Sequence, residues 1–232
     1  MARASAPIWA PLTVGLMRFG LGWRIDGLDP VRKLYREIRQ DRITPLLVCA
    51  NHLTLIDSAL IAWALGSPWW YVANLSALPW NVPETQNFTS SLPSRVLVSL
   101  MKCVPITRGS DRKEVSGVLA RLAYLLSRGE AVLIFPEGGR SRTGRVEIDS
   151  AAYGVGRLVA ALPGCRVLCV YLRGERQASF SDLPVRGERF RVLVDTLEPS
   201  SELQGLRASL DLSQQIVRKL SDLERRHFDG RQ

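Results

Sequence analysis

The stretch Pro45-Leu46-Leu47-Val48-Cys49-Ala50-Asn51-His52-Leu53-Thr54-Leu55-Ile56-Asp57-Ser58-Ala59-Leu60-Ile61-Ala62-Trp63-Ala64-Leu65 changes character twice. Its first residues form a short apolar run with the pattern of a buried strand, and Ser58 to Leu65 reads as a helix. Between them stand His52 and Asp57, five residues apart. A helix would set such a pair about 140° apart around its axis, and a strand would put it on opposite faces roughly 16 Å apart. The two side chains can meet only across a turn. The sequence therefore predicts a strand–turn–helix elbow that aims an imidazole at a cleft, with a carboxylate behind it to fix its tautomer. His52 is one of two histidines in the chain, and imidazole is the side chain whose ordinary pKa suits general-base work near neutral pH.

Further strand-like runs lie at residues 69–73, 103–107, 131–135, 166–171 and 190–194, with helical patterns between several of them. Val115, Val118, Leu119, Leu122 and Leu126 form one stripe; Asp111 and Glu114 are placed for a capping box, and Gly129 to end the helix. Residues 149–162 read as a second helix, closed by Pro163-Gly164. Leu212, Ile216, Leu220 and Leu223 mark a third, with a basic end that suits the helix dipole. This alternation predicts an α/β fold with a mixed, largely parallel central sheet flanked by helices. Segment 66–94 departs from it, combining Trp69, Trp70 and Trp80 with Pro68, Pro79, Pro83 and Pro93. It fits a long loop covering the site, or a surface excursion whose tryptophans fill the core.

At 232 residues, 46% apolar and 23% charged, the composition is that of a folded chain with one sizeable core. Thirty-one basic against 22 acidic residues give a net charge of +9 at pH 7, which favours anionic partners: nucleic acid, a lipid surface or phosphorylated substrates. Cys49, Cys103, Cys165 and Cys169 each lie in or beside an apolar run and are expected as buried thiols. Neither a CxxC pair nor a histidine cluster offers a metal site, so no metal is expected. Residues 8–17 are nearly all apolar, but Pro11 interrupts them and Arg18 ends them, well short of the about twenty residues a bilayer span needs. With Trp9, Trp23, Arg3, Arg18 and Arg24, residues 7–25 fit an amphipathic, membrane-anchoring helical segment lying in the interface. A helix packed on the core fits them equally. The expected division is an interfacial segment over 1–30 and a single domain over 31–232.

Two further motifs follow strand-like runs. Phe135-Pro136-Glu137-Gly138-Gly139-Arg140-Ser141-Arg142 should open at the C-terminal edge of a sheet, where α/β proteins place ligands. Its glycines allow close backbone approach, and Arg140 and Arg142 carry the fork that suits phosphate oxygens. Glu137 beside these arginines reads as their orienting partner. The alternative is a solvent-exposed basic turn. Val104-Pro105-Ile106-Thr107-Arg108-Gly109 sets another arginine just past a strand-like run. If the three strand ends adjoin, they gather a base, a carboxylate and phosphate-binding arginines at one cleft.

In this order and at these separations, Asn51-His52 with Asp57, then Pro105-Ile106-Thr107-Arg108-Gly109, then Phe135-Pro136-Glu137-Gly138 with Arg140-Ser141 resemble the motifs of the glycerolipid acyltransferases, which include 1-acylglycerol-3-phosphate acyltransferase. The resemblance covers residues 45 to about 175. It implies acyl transfer from acyl-CoA or acyl carrier protein to the hydroxyl of a lysophospholipid, with no further cofactor. It also implies a peripheral location at the cytoplasmic face of a membrane, with membrane lipids as partners and no nucleic acid. Carried over by position, His52 is the base and Asp57 its partner, while Arg108, Glu137, Gly138 and Arg140 form the acceptor-phosphate site. Three positions depart from the family's pattern. Gly139 stands where threonine is frequent, Asn74 where many members carry a lysine, and the run 168–173 lacks a usual proline. The resemblance puts lysophosphatidate first as acceptor; if residue 74 and that run line the cleft, the alternative is the same chemistry on a specialised lipid, bulkier or less anionic than lysophosphatidate. A basic protein that binds membranes or nucleic acid without catalysis is the alternative of another class.

Overall fold

Strand β2 (Leu46–Ala50) is buried along its whole length, and its side chains divide by the two-residue period of a strand. Leu46, Val48 and Ala50 enter one hydrophobic core, and Leu47 and Cys49 enter a second on the opposite face. A strand covered on both sides belongs at the centre of a layered α/β fold. The computed structural model describes residues 2–85, 101–107, 109 and 111–230. Its sheet runs β1 (Arg24–Asp26), β6 (Arg189–Leu197), β5 (Arg166–Gly174), β2, β4 (Val132–Ile134) and β3 (Trp80–Asn81). Every pairing is parallel except β5 with β6, so the expected mixed, largely parallel sheet is present. In register, Cys49 lies between Ile134 and Cys169.

The first core is roofed by α2 (Leu28–Ile38), α3 (Asp57–Leu65) and α4 (Pro68–Ala73), and holds Trp23, Tyr35, Leu60 and Phe190. The second is roofed by α5 (Arg112–Ser127), α6 (Tyr153–Ala160) and α7 (Gly205–Asp229). The stripe read for α5 is its buried face, centred on Leu122 and Leu126. Asp111 caps it by accepting the Glu114 amide at 2.7 Å. All four stripe residues of α7 are buried. The helix read over 149–162 is shorter, a 3₁₀ turn at Ile148–Ser150 and then α6.

Two strand expectations fail. Residues 69–73 are the helix α4, started by Pro68 in its first turn and by Ser67, whose hydroxyl accepts the Trp70 amide at 3.3 Å. Residues 103–107 form only isolated bridges, Asn81 with Cys103 and Glu84 with Ile106. Strands β1 and β3 fall where no strand was expected. β1 brings residues 24–26, from the stretch assigned to an interfacial segment, into the sheet.

The chain before β1 forms a helix, α1 (Ala2–Gly15), and a π-helical turn at Leu16–Gly20. Ala6, Ala10 and Met17 are buried on the protein, so this segment does pack on the body. On its other side Ile8, Leu12, Leu16 and Phe19 are 67%, 66%, 62% and 80% exposed. No helix among the described residues is long and apolar enough to cross a membrane.

Candidate active site

β2 ends at Ala50 and the chain turns through Asn51–Ile56 before α3 begins. Asn51 pins the turn to β5, accepting the Leu172 amide at 2.8 Å and donating to the Leu172 carbonyl at 3.0 Å. Across the turn, His52 Nδ1 stands 3.0 Å from Asp57 Oδ2. That oxygen also accepts the backbone amides of Leu53 and Thr54, and Oδ1 accepts the Thr54 hydroxyl. A carboxyl oxygen already holding two amides can only accept from the ring. The His52 proton is thereby set on Nδ1, and Nε2 is left as the basic nitrogen. The ring is stacked on Phe135 at 4.0 Å between centroids and 12° between planes. Asp57 is buried and His52 half-buried, so the elbow expected from the sequence is preorganised.

The Phe135–Ser141 turn follows β4, the neighbour of β2 in the sheet, and is tied to the elbow by the Ser141 amide on the His52 carbonyl at 2.9 Å. Gly138 has φ +68°, a conformation that disfavours any residue with a Cβ. His52, Phe135, Gly138, Gly139 and Arg140 share one cavity of about 270 Å³. Four of the sequence-derived site residues, His52, Asp57, Gly138 and Arg140, are thus gathered here. Arg108 lies outside the described residues.

Glu137 departs from its expected role. Among the described residues no arginine forms an ion pair with it, and its Oε1 is buried without a hydrogen-bond partner. Burial raises its pKa to about 8, helped by the charges of Glu224 and Glu147, although backbone hydrogen bonds from Glu147 and His52 pull the other way. Arg140 is instead paired with Asp182, at 2.7 Å, and also donates to the Ser181 carbonyl at 3.1 Å.

A larger cavity of about 590 Å³ adjoins the first, and Leu55, Ser58, Asn81 and Pro83 line both. Its walls are largely apolar and come from α1 (Trp9, Val14), the π-helical turn after it (Met17), α3 and α4, with Leu183 at one side. Segment 66–94 contributes Gly66, Pro68, Tyr71, Leu78 and Pro79 as far as it is described, so it walls this cavity; residues 86–94 lie outside the described residues.

Two expectations about the cleft are corrected. Asn74 lines a separate polar cavity with Arg42, Lys102 and Glu130, beside the N-terminal ends of β2 and β4 and so at the opposite edge of the sheet from His52. The cation buried there is Lys102, which donates to the Leu75 and Leu78 carbonyls and pairs with Glu130. None of residues 168–173 lines either cavity at the elbow. Arg173 has another task that the sequence reading missed. Buried at the end of β5, it donates to the carbonyls of Gly144, Gln177 and Ala178 and so holds the loops on both sides of the site. A charged residue inside an apolar strand run was the available signal.

A family model described as Acyltransferase matches residues 31–185. No curated protein matches the chain.

Proposed function

The chain belongs to the glycerolipid acyltransferase family, and from this premise we propose that it moves a fatty acyl group from a coenzyme A or acyl-carrier-protein thioester to the free hydroxyl of a lysophospholipid, 1-acylglycerol-3-phosphate being the foremost acceptor. The observation that carries this reading is the His52–Asp57 dyad, its imidazole lining a cavity of mixed polarity that adjoins a larger apolar one. The larger cavity is within the ~300–1,000 Å³ range of small-molecule sites and suits an acyl chain. The smaller one, floored by Gly138 and Arg140, suits the acceptor's phosphate.

His52 Nε2 takes the proton of the acceptor hydroxyl as its oxygen attacks the thioester carbonyl. The tetrahedral oxyanion collapses, the carbon–sulfur bond breaks, and the departing thiolate recovers the proton from the imidazolium. Asp57 holds the ring and stabilises its protonated form, as in other His–Asp pairs. No acyl-enzyme is needed, because the thioester is already activated.

The exposed face Ile8-Leu12-Leu16-Phe19 supports a peripheral seat on a membrane. The same segment walls the apolar cavity, and Leu183 and Val185, exposed nearby, extend the apolar surface. Purified protein with labelled acyl-CoA and a panel of lysolipids tests the proposal. Transfer to lysophosphatidate above neutral and zwitterionic lysolipids is expected, and the absence of transfer to any lysolipid contradicts it.

A further inference from the structure

Asp182 lies in the loop after β5, and its carboxylate oxygen Oδ1 is 2.7 Å from Arg140 Nη1. The loop is fixed by its backbone: the Leu55 amide donates to the Asp182 carbonyl at 3.1 Å, and the Ser181 amide donates to the Leu53 carbonyl at 3.0 Å. Both partners belong to the elbow that carries His52. Phe180 adds its ring 5.6 Å from the Arg140 guanidinium. The Asp182 side chain is thus delivered to Arg140 by a backbone hydrogen-bonded to the elbow, while remaining 76% exposed to solvent. Arg140 lines the His52 cavity and Asp182 lines the apolar one, so the pair stands where the two meet.

The geometry points to Asp182 as an internal counter-anion that occupies Arg140 until an anionic acceptor displaces it, and so sets how strongly acceptor charge is selected. This rests on the proposed role of the cavity as an acceptor site. An exposed ion pair is weak and exchangeable. A phosphate offers several oxygens to the guanidinium fork and is the stronger partner. A neutral lysolipid cannot break the pair on these terms, whereas lysophosphatidate can. Competition from Asp182 thus weakens the hold on an anionic acceptor without touching a neutral one, and so tempers the preference for acceptor charge that Arg140 confers.

The test uses the full chain and the variants Asp182→Asn, Arg140→Ala and the double variant. Two readouts are taken: the acceptor KM for lysophosphatidate in detergent micelles, and the Kd of inorganic phosphate by titration calorimetry. Asp182→Asn is expected to lower both about two- to five-fold, the scale of an exposed ion pair, and to have no such effect in the Arg140→Ala background. A loop that is merely structural would raise KM on damage, not lower it. An unchanged or raised phosphate Kd in Asp182→Asn overturns the inference, as does an equal effect without Arg140. Tighter phosphate binding in a protein that transfers no acyl group to any lysolipid supports the Asp182–Arg140 competition and sinks the acyl-transfer reading instead.

Discussion

Glu137 carries the clearest pH signature among the site's side chains. Its pKa is raised from the ordinary 4.5 to about 8, chiefly by burial. The unfolded chain gives up this proton near its ordinary value, whereas the folded protein keeps it to about pH 8. Between these values unfolding releases a proton, so stability falls as pH rises. Glu137→Gln removes the titrating group and should flatten that slope, by on the order of 3 kcal/mol between about pH 5 and pH 8. Denaturant unfolding of both proteins across this range checks it; parallel pH profiles would remove the effect from Glu137. The carboxyl's position was legible in the sequence, but its surroundings were not. Glu224, 87 positions further on, contributes to its field from α7, and no local pattern announces a contact of that range. The Arg140–Asp182 pair was hidden for the same reason. His52 and Asp57 were legible because a turn is the only local geometry that lets residues at this spacing touch.

The elements that were readable are those with a long period or an unambiguous cap. α5 displayed a stripe with a capping aspartate, and β2 a wholly apolar run between polar ends. α4 was misread because Trp69, Trp70, Tyr71 and Val72 are strand-favouring residues in a run too short to show a helical period; Ser67-Pro68 was the overlooked start signal. β1 and β3, at three and two residues, fall below any periodicity. The contact of α6 with α7 gives a sharp prediction. A Cβ at Gly156 would stand 1.7 Å from the Ser209 carbonyl oxygen, and the Gly156 amide donates to Ser213 Oγ at 2.8 Å. Gly156→Ala should therefore destabilise the fold by on the order of 3 kcal/mol, since two helix backbones must separate. Thermal unfolding measures this, and a shift of less than a degree or two would contradict the close approach. The family match ends at residue 185, yet β6 and α7 beyond it complete the sheet and the second core.

Across the molecule, the N-terminal segment serves two surfaces. Trp23 is 2% exposed and Met17 4%, so removing residues 7–25 would open the core as well as strip any membrane contact. Substitution on the outer face separates the two. Leu12→Asp with Leu16→Asp should leave the unfolding temperature nearly unchanged while weakening binding to vesicles containing anionic lipid at least tenfold. Burying each leucine is worth ~1.5–3 kcal/mol. Vesicle sedimentation reads the result, and undiminished binding by the folded variant would dismiss this face as the anchor. Such a seat would bring the wall of the apolar cavity against the bilayer that would hold a lysophospholipid acceptor. In the proposed reaction Nε2 of His52, held by Asp57, activates the acceptor hydroxyl. The decisive comparison is the turnover of labelled acyl-CoA with a lysophospholipid acceptor by wild type and His52→Ala, at matched unfolding temperature and vesicle binding. A loss of at least ~100-fold in kcat is expected for His52→Ala; near-normal turnover by the folded variant would rule His52 out as the base.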